Sequence, residues 1–185
     1  MDECRILLAL MIASKADEKW MNADGLYKFL DRVLPRRWML VCGSADKHPK
    51  MIEEYCRQMR HLEVKVVIIG AGLNPILGRV VAANFGIATE TTIMCVPETE
   101  AAVTSVVWAP EFVALTCPGW GKNGMFNACV EACKRLAVYD EEILDRLAVC
   151  REEALENKQP QFDVRGALQK PETAAAAAPI QENRR

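Results

Sequence analysis

The 185-residue sequence predicts a three-layer, doubly wound α/β domain: a parallel five-stranded sheet with helices on both faces. Three observations predict it. Five short apolar runs rich in Val, Ile, Leu, Met and Cys recur along the chain without polar alternation, as strands covered on both faces do. Apolar stripes at helical spacing separate the runs. Strand and helix alternate five times before a last helix, an order that right-handed crossovers wind into two helix layers around one sheet.

The first run spans residues 6–12. Leu26, Phe29, Leu30 and Val33 then recur at helix spacing, and Pro35 ends that segment. The second run, 38–42, is followed by a stripe of Met51, Ile52, Tyr55, Met59 and Leu62. The third, 64–69, leads to Leu77, Val80, Val81 and Phe85, with Gly86 as the stop. The fourth, 91–96, precedes a shorter helix over 98–108. The fifth, 112–117, precedes Met125, Cys129, Ala132 and Leu136. Ile143, Leu144, Leu147 and Leu155 place the last helix over 140–157. From residue 158 the chain turns to Pro, Ala and polar residues without periodicity. The organisation is therefore one domain over 1–157 and a flexible tail over 158–185.

At 51% hydrophobic the chain can bury a full core. A net charge of -2 and a pI near 5.8 leave no sequence-wide basic footprint for nucleic acid. Arg36 and Arg37, near Arg32, read as a solvated helix end. There are eight cysteines and two histidines, with no C-x-x-C pair. A zinc site needs four close nitrogen or sulfur ligands, so no metal and no cofactor are expected, and the cysteines read as reduced and mostly buried. Asp2 and Glu3 stand where a leader peptide needs positive charge. The expected location is cytoplasmic, with import into an organelle left open. No apolar run approaches the length of a membrane span.

Ligands on doubly wound sheets bind beyond the carboxyl ends of the strands. The loops there carry Ser14, Lys15 and Asp17; Ser44, Asp46, Lys47, His48 and Pro49; Gly70, Ala71 and Gly72; Pro97, Glu98 and Thr99; and Pro118 to Gly124. The first three have the chemistry of an anion cradle. Ser14 and Ser44 offer hydroxyls near helix N-termini, whose backbone N–H groups favour anions. Lys15 and Lys47 supply charge. Gly70 and Gly72 allow a ligand to approach the backbone closely. Asp17 can accept from a sugar hydroxyl. Ser14, Asp17 and Ser44 also suit ordinary helix N-caps. The third loop is not a dinucleotide fingerprint, because its G-A-G lacks the third glycine and the acid about 20 residues on.

The order of these loops resembles the AIR carboxylase and carboxyaminoimidazole ribonucleotide mutase family of de novo purine synthesis. The matching pieces are Ala13-Ser14-Lys15-Ala16-Asp17, Ser44-Ala45-Asp46-Lys47-His48-Pro49, Gly70-Ala71-Gly72, Gly78 with Val80-Val81-Ala82-Ala83, Cys95-Val96-Pro97, Ser105 to Pro110, and the late helix from Tyr139 to Leu147. The resemblance implies a flavodoxin-like fold, a ribonucleotide or sugar-phosphate ligand, no cofactor, and a homo-oligomer, commonly an octamer, or a place in a larger assembly. It assigns ligand and phosphate binding to Ser14, Asp17, Ser44, Lys47, Gly70, Ala71 and Gly72.

The departures from the family pattern lie in its proton-transfer groups. Where the family carries S-A-H-R, with an acid–base histidine, this chain has Asp46 followed by Lys47. The glycine-rich loop, which carries a second family histidine, reads Leu73-Asn74-Pro75-Ile76-Leu77 and has none. Imidazole titrates near 6.5 and relays protons at neutral pH, whereas a carboxylic acid near 3.9 does so only when its environment raises it. Two readings follow. One is a catalytically degenerate member acting as a structural or regulatory subunit that still binds a phosphorylated ligand. The other is an active carboxylase or mutase in which Asp46 or His48 replaces the family histidine.

Overall fold

The structure is a computed structural model and describes residues 5–72, 76–86, 90–107 and 113–156, with the side chains of 105 and 107 not described. Its strands are β1 (Leu8–Ile12), β2 (Trp38–Cys42), β3 (Val66–Ala71) and β4 (Thr92–Pro97). Its helices are α1 (Asp17–Met21), α2 (Leu26–Val33), α3 (Pro49–His61), α4 (Ile76–Phe85), α5 (Val103–Val107), α6 (Gly121–Leu136) and α7 (Glu142–Glu156), with a 3-10 turn at Glu100–Ala102. The expected tail over 158–185 lies outside the described residues, as do Asn74 and the 108–110 segment.

All pairs in the sheet are parallel, and the order is β2-β1-β3-β4. Among the described residues the expected fifth strand, 112–117, shows one parallel bridge, Met94 to Thr116, held by Cys95 N–H to Thr116 carbonyl (2.8 Å) and Thr116 N–H to Ile93 carbonyl (3.0 Å). Thr116 is exposed, and Pro118, which has no N–H, stands two residues on. The segment thus sits in the place of the fifth strand with little ladder of its own, on the outer side of β4.

The sequence dictates this layering through strand alternation. In β1 every residue is buried. Leu8, Leu10 and Ile12 face one core with Leu26, Leu30 and Val33 of α2, Met125 and Cys129 of α6, and Ile143 and Leu147 of α7. Ala9 and Met11 face the other, with Ile52, Cys56 and Met59 of α3, Leu77, Val81 and Phe85 of α4, and Val106 of α5. One strand thus feeds two cores, which is why its sequence shows no alternation. Burying a Leu or Ile side chain in either core contributes about 1.5–3 kcal/mol.

The ends of the helices obey local rules. The α2 helix stops at Val33, ahead of Pro35, because a proline forces the residue before it out of helical geometry. Pro49 opens α3 at its first turn, where a missing N–H costs nothing, and Arg60 in the last turn, next to the closing His61, places a cation where the helix dipole favours one. Gly86 stands just past α4 with φ 68° and donates its N–H to Ala82 (3.0 Å). The half-buried Arg37–Asp140 ion pair ties the start of β2 to the turn before α7.

Candidate functional site at the carboxyl edge of the sheet

The strand order reverses at β1, with β2 on one side and β3 on the other. That reversal opens a crevice at the carboxyl ends where doubly wound folds bind ligands. Four loops border it, from β2, β1, β3 and β4 in spatial order. Neighbouring strands stand about 4.8 Å apart, so the β2 and β3 loops are about 10 Å from each other.

The β2 loop is held by its own backbone. Gly43 N–H donates to the Ile12 carbonyl (2.9 Å), and His48 N–H donates to the Ser44 carbonyl (2.9 Å). Lys47 N–H lies 3.4 Å from Ser44 Oγ, a long and weak contact. A side chain on Gly43 would meet Ile52 Cδ1 at 2.8 Å, so the bare glycine lets Ile52 of α3 pack directly beneath this loop. Asp46, Lys47 and His48 are exposed and Ser44 is half-buried. His48 is the N-cap residue of α3, and its ring caps nothing. His61 closes the 13-residue helix, about 18 Å away at the rise of an α-helix.

The β1 loop folds on itself. Asp17 is buried, at 9% exposure. Its Oδ2 accepts the backbone N–H of Ser14 (2.8 Å) and the Ser14 hydroxyl (3.1 Å). Neither residue is the N-cap of α1; Ala16 holds that position. The capping alternative is therefore not what these residues do, and Ser14 spends its hydroxyl proton on Asp17. Lys15 is exposed beside them.

The two glycines of the β3 loop serve different ends. A Cβ on Gly70 would lie 2.2 Å from Met21 Sδ and 3.1 Å from Met125 Cε. The bare Gly70 thus seats α1 and α6 on the sheet, and its space is filled by protein. A Cβ on Gly72 would lie 3.4 Å from Asp17 Oδ1 and 3.7 Å from Glu98 Oε2. The space above Gly72 is therefore faced by two carboxylates from two other loops. The sequence marks Glu98 only as part of the loop after β4. It reaches this position because its N–H donates to the Ala71 carbonyl (2.8 Å), fixing the β4 loop against the end of β3. Gly121, with φ 60°, lies against the Glu98 carbonyl, where a Cβ would approach to 3.3 Å.

Among the described residues no group of three His, Cys, Asp or Glu side chains is arranged to hold a metal ion. The described cysteines are free; Cys56, Cys95, Cys129 and Cys133 are buried, whereas Cys42 is exposed. Burial pushes the thiols of Cys56 to about 11 and of Cys95 and Cys133 to about 12. No described helix is long and apolar enough to cross a membrane. Trp20 packs against the core on the α2 side, and Trp120 is exposed at the head of α6.

Two solved structures share this architecture. A crystal structure of Treponema denticola PurE superposes with a TM-score of 0.68 at 19% identity, covering 83% of this chain and 94% of that one. A variant of Treponema denticola PurE2 gives 0.67 at 19% identity, over 83% and 93%. In sequence the chain is 27% identical to the N5-carboxyaminoimidazole ribonucleotide mutase of Aliivibrio fischeri, over 84% of this chain and 99% of that protein. It is 28% identical to the enzyme of the same name from Vibrio vulnificus, over 81% and 92%. The family model described as AIR carboxylase matches residues 7–157. On that match, and with a fold laid out in the same way, the chain belongs to the AIR carboxylase family.

Proposed function

We propose that this chain is a catalytically degenerate member of the AIR carboxylase family, a structural or regulatory subunit that still binds a phosphorylated sugar or ribonucleotide. One observation carries the reading. The β2 loop holds Ser44 and Lys47 at the crevice, while Asp46 stands where the family resemblance places an imidazole. Proton transfer to and from carbon by a positioned group contributes about 10²–10⁴ in rate. A carboxylic acid recruited for that work at neutral pH is sheltered from water, and Asp46 is exposed. The anion-holding half rests on Ser44, Lys47 and the backbone at Ala71 and Gly72, while Ser14, both of whose donors go to Asp17, serves by positioning Asp17 as an acceptor for ligand hydroxyls. Exposed Val138, Tyr139, Leu144 and Val149 support assembly with further copies or with a larger complex, which a native mass measurement reads directly.

The binding half is tested by thermal unfolding with ribose 5-phosphate. At ten times its Kd, a ligand that binds only the folded chain raises the midpoint by about 3–5 °C for a domain of this size. Ser44→Ala and Lys47→Ala are expected to remove the rise. No rise in the parent protein, or an undiminished rise in both variants, contradicts the proposal.

A second reading rests on His48. Its ring caps no helix and stands exposed beside the crevice, so it is available to a ligand. In that reading the chain is an active carboxylase or mutase, with His48 or Asp46 relaying the proton. Turnover that His48→Ala or Asp46→Ala abolishes is its signature.

A further inference from the structure

We propose that Cys95 and Cys117 form an oxidation site: a dithiol at the outer edge of the sheet that a hydroperoxide converts into a reversible intrachain disulfide, tying the segment around Thr116 to β4. The inference stands apart from the proposed function, since neither thiol belongs to the anion cradle.

The register brings the two residues together. Met94 and Thr116 are bridge partners on parallel segments. Cys95 N–H donates to the Thr116 carbonyl (2.8 Å), and Thr116 N–H donates to the Ile93 carbonyl (3.0 Å). One step further along both segments, Cys95 therefore stands opposite Cys117. Parallel neighbours lie about 4.8 Å apart, inside the Cα separation of about 4.4–6.8 Å that a disulfide spans. The two side chains also share a face. Cys95 is part of the core on the α4 side, and Leu115 and Cys117 pack against that same core. Cys95 Sγ and Leu115 Cδ2 lie 2.5 and 4.0 Å from the point a Cβ of Gly78 would occupy. Both thiols are free. Burial raises the Cys95 thiol to about 12, and the next largest cause is the charge of the Cys117 thiolate, as expected of neighbours.

Unequal access sets the order of the steps. Cys117 is half-buried and Cys95 is fully buried. Cys117 Sγ lies 3.5 Å from the Gly119 carbonyl, a weak contact. The Cys117 thiolate attacks one oxygen of hydrogen peroxide; the O–O bond breaks, hydroxide leaves as water, and Cys117 becomes a sulfenic acid. Cys95 then attacks the Cys117 sulfur. The S–S bond forms, the S–O bond breaks, and the hydroxyl leaves as water with the Cys95 proton. Two thiols lose two electrons and the peroxide becomes two waters. Among the described residues one bridge holds this edge of β4. The new bond secures it and fixes the chain entering the turn whose Gly121 lies against the Glu98 carbonyl. It also restricts the unfolded chain by closing the loop from 95 to 117.

The test exposes the full chain to hydrogen peroxide at pH 7.5, alkylates the remaining thiols in denaturant and maps the peptides by mass. The expected product joins the Cys95 and Cys117 peptides, two hydrogens lighter than their sum, and dithiothreitol releases it. The oxidised protein is expected to melt about 5–10 °C higher than the reduced one, and reduction should reverse the rise. Cys117→Ser, at a half-buried position, should lose both the link and the rise with far-UV dichroism unchanged, whereas Cys42→Ser should keep both. Full alkylation of Cys95 after Cys117 has been oxidised overturns the inference, as does a link from Cys117 to any other cysteine. A Cys95–Cys117 link that leaves the melting temperature unchanged overturns its role in securing the edge.

Discussion

Asp17 Oδ2 accepts both the backbone N–H and the hydroxyl of Ser14, at 2.8 and 3.1 Å. These two hydrogen bonds close the loop after β1 and leave the other carboxylate oxygen facing Gly72. Asp17→Ala removes the single acceptor of both bonds and strands a part-buried N–H, so it should cost about 2–3 kcal/mol. Ser14→Ala removes one bond and should cost about 0.5–1.5 kcal/mol. Urea unfolding of the two variants checks the order; equal losses would mean the loop is held by something other than Asp17.

The glycines beside α6 make a second prediction. A Cβ on Gly124 would lie 2.5 Å from the carbonyl carbon of Gly119. Replacing a helical glycine by alanine ordinarily gains up to about 1 kcal/mol. Here the obstacle is backbone, which cannot swing aside, and overpacking costs about 1–3 kcal/mol. Gly124→Ala should therefore lower the melting temperature in spite of its better helix propensity. A rise in melting temperature would contradict the close approach of these two segments.

Thiol chemistry should separate the cysteines by position. Cys42 is exposed, whereas Cys56, Cys95, Cys129 and Cys133 are buried, and burial holds those four above the ordinary thiol range. The thiolate is the reactive form. In the native protein at pH 7.5, a mass-shifting alkylating reagent should label Cys42 before any of these four, which should react only on unfolding. Early labelling of Cys129 or Cys133 would show that α6 does not pack as described.

The same burial fixes the sign of the alkaline pH dependence. Burial first, then Glu18, lifts the Tyr27 hydroxyl to about 12, and burial lifts the thiols of Cys56, Cys95 and Cys133 to between about 11 and 12. The unfolded chain releases these protons from about pH 8.5 for thiols and 10 for tyrosine. Between those values and the folded ones, the native state binds more protons. Stability is therefore fully present below about pH 8.5 and falls as pH rises toward 12, by up to about 1.4 kcal/mol per pH unit for each group. The urea midpoint at pH 10.5 should lie below that at pH 7.5; an unchanged midpoint would contradict the burial of these groups.

The layered fold was legible because the strands carry no alternation. The run at 38–42 and the stripe from Leu26 to Val33 coincide with β2 and α2 to the residue. The α1 helix was not legible: five residues, DEKWM, offer too short a window for a 3.6-residue period. Val113, Leu115 and Cys117 pack toward one core in the way strand residues do, yet among the described residues the ladder beside β4 amounts to one bridge, and backbone pairing is a property no apolar pattern encodes.

The edge of the sheet carrying the candidate site was also legible, since a doubly wound order fixes where the strands end. The division of labour within it was not. Gly70 and Gly72 are two residues apart and read alike, yet one seats Met21 and the other faces Asp17 and Glu98. That difference depends on which helices pack above each glycine. Glu98 gave no sign in the sequence, because its position comes from a backbone bond to Ala71 that no residue type announces.

The central claim is that the crevice keeps its hold on an anion and has lost the imidazole that relays protons. Its most direct test is the absorbance change on incubating purified protein with N5-carboxyaminoimidazole ribonucleotide at neutral pH. The account predicts no conversion above the rate in buffer, at any protein concentration. Conversion that scales with protein and disappears in Asp46→Ala or His48→Ala would contradict it.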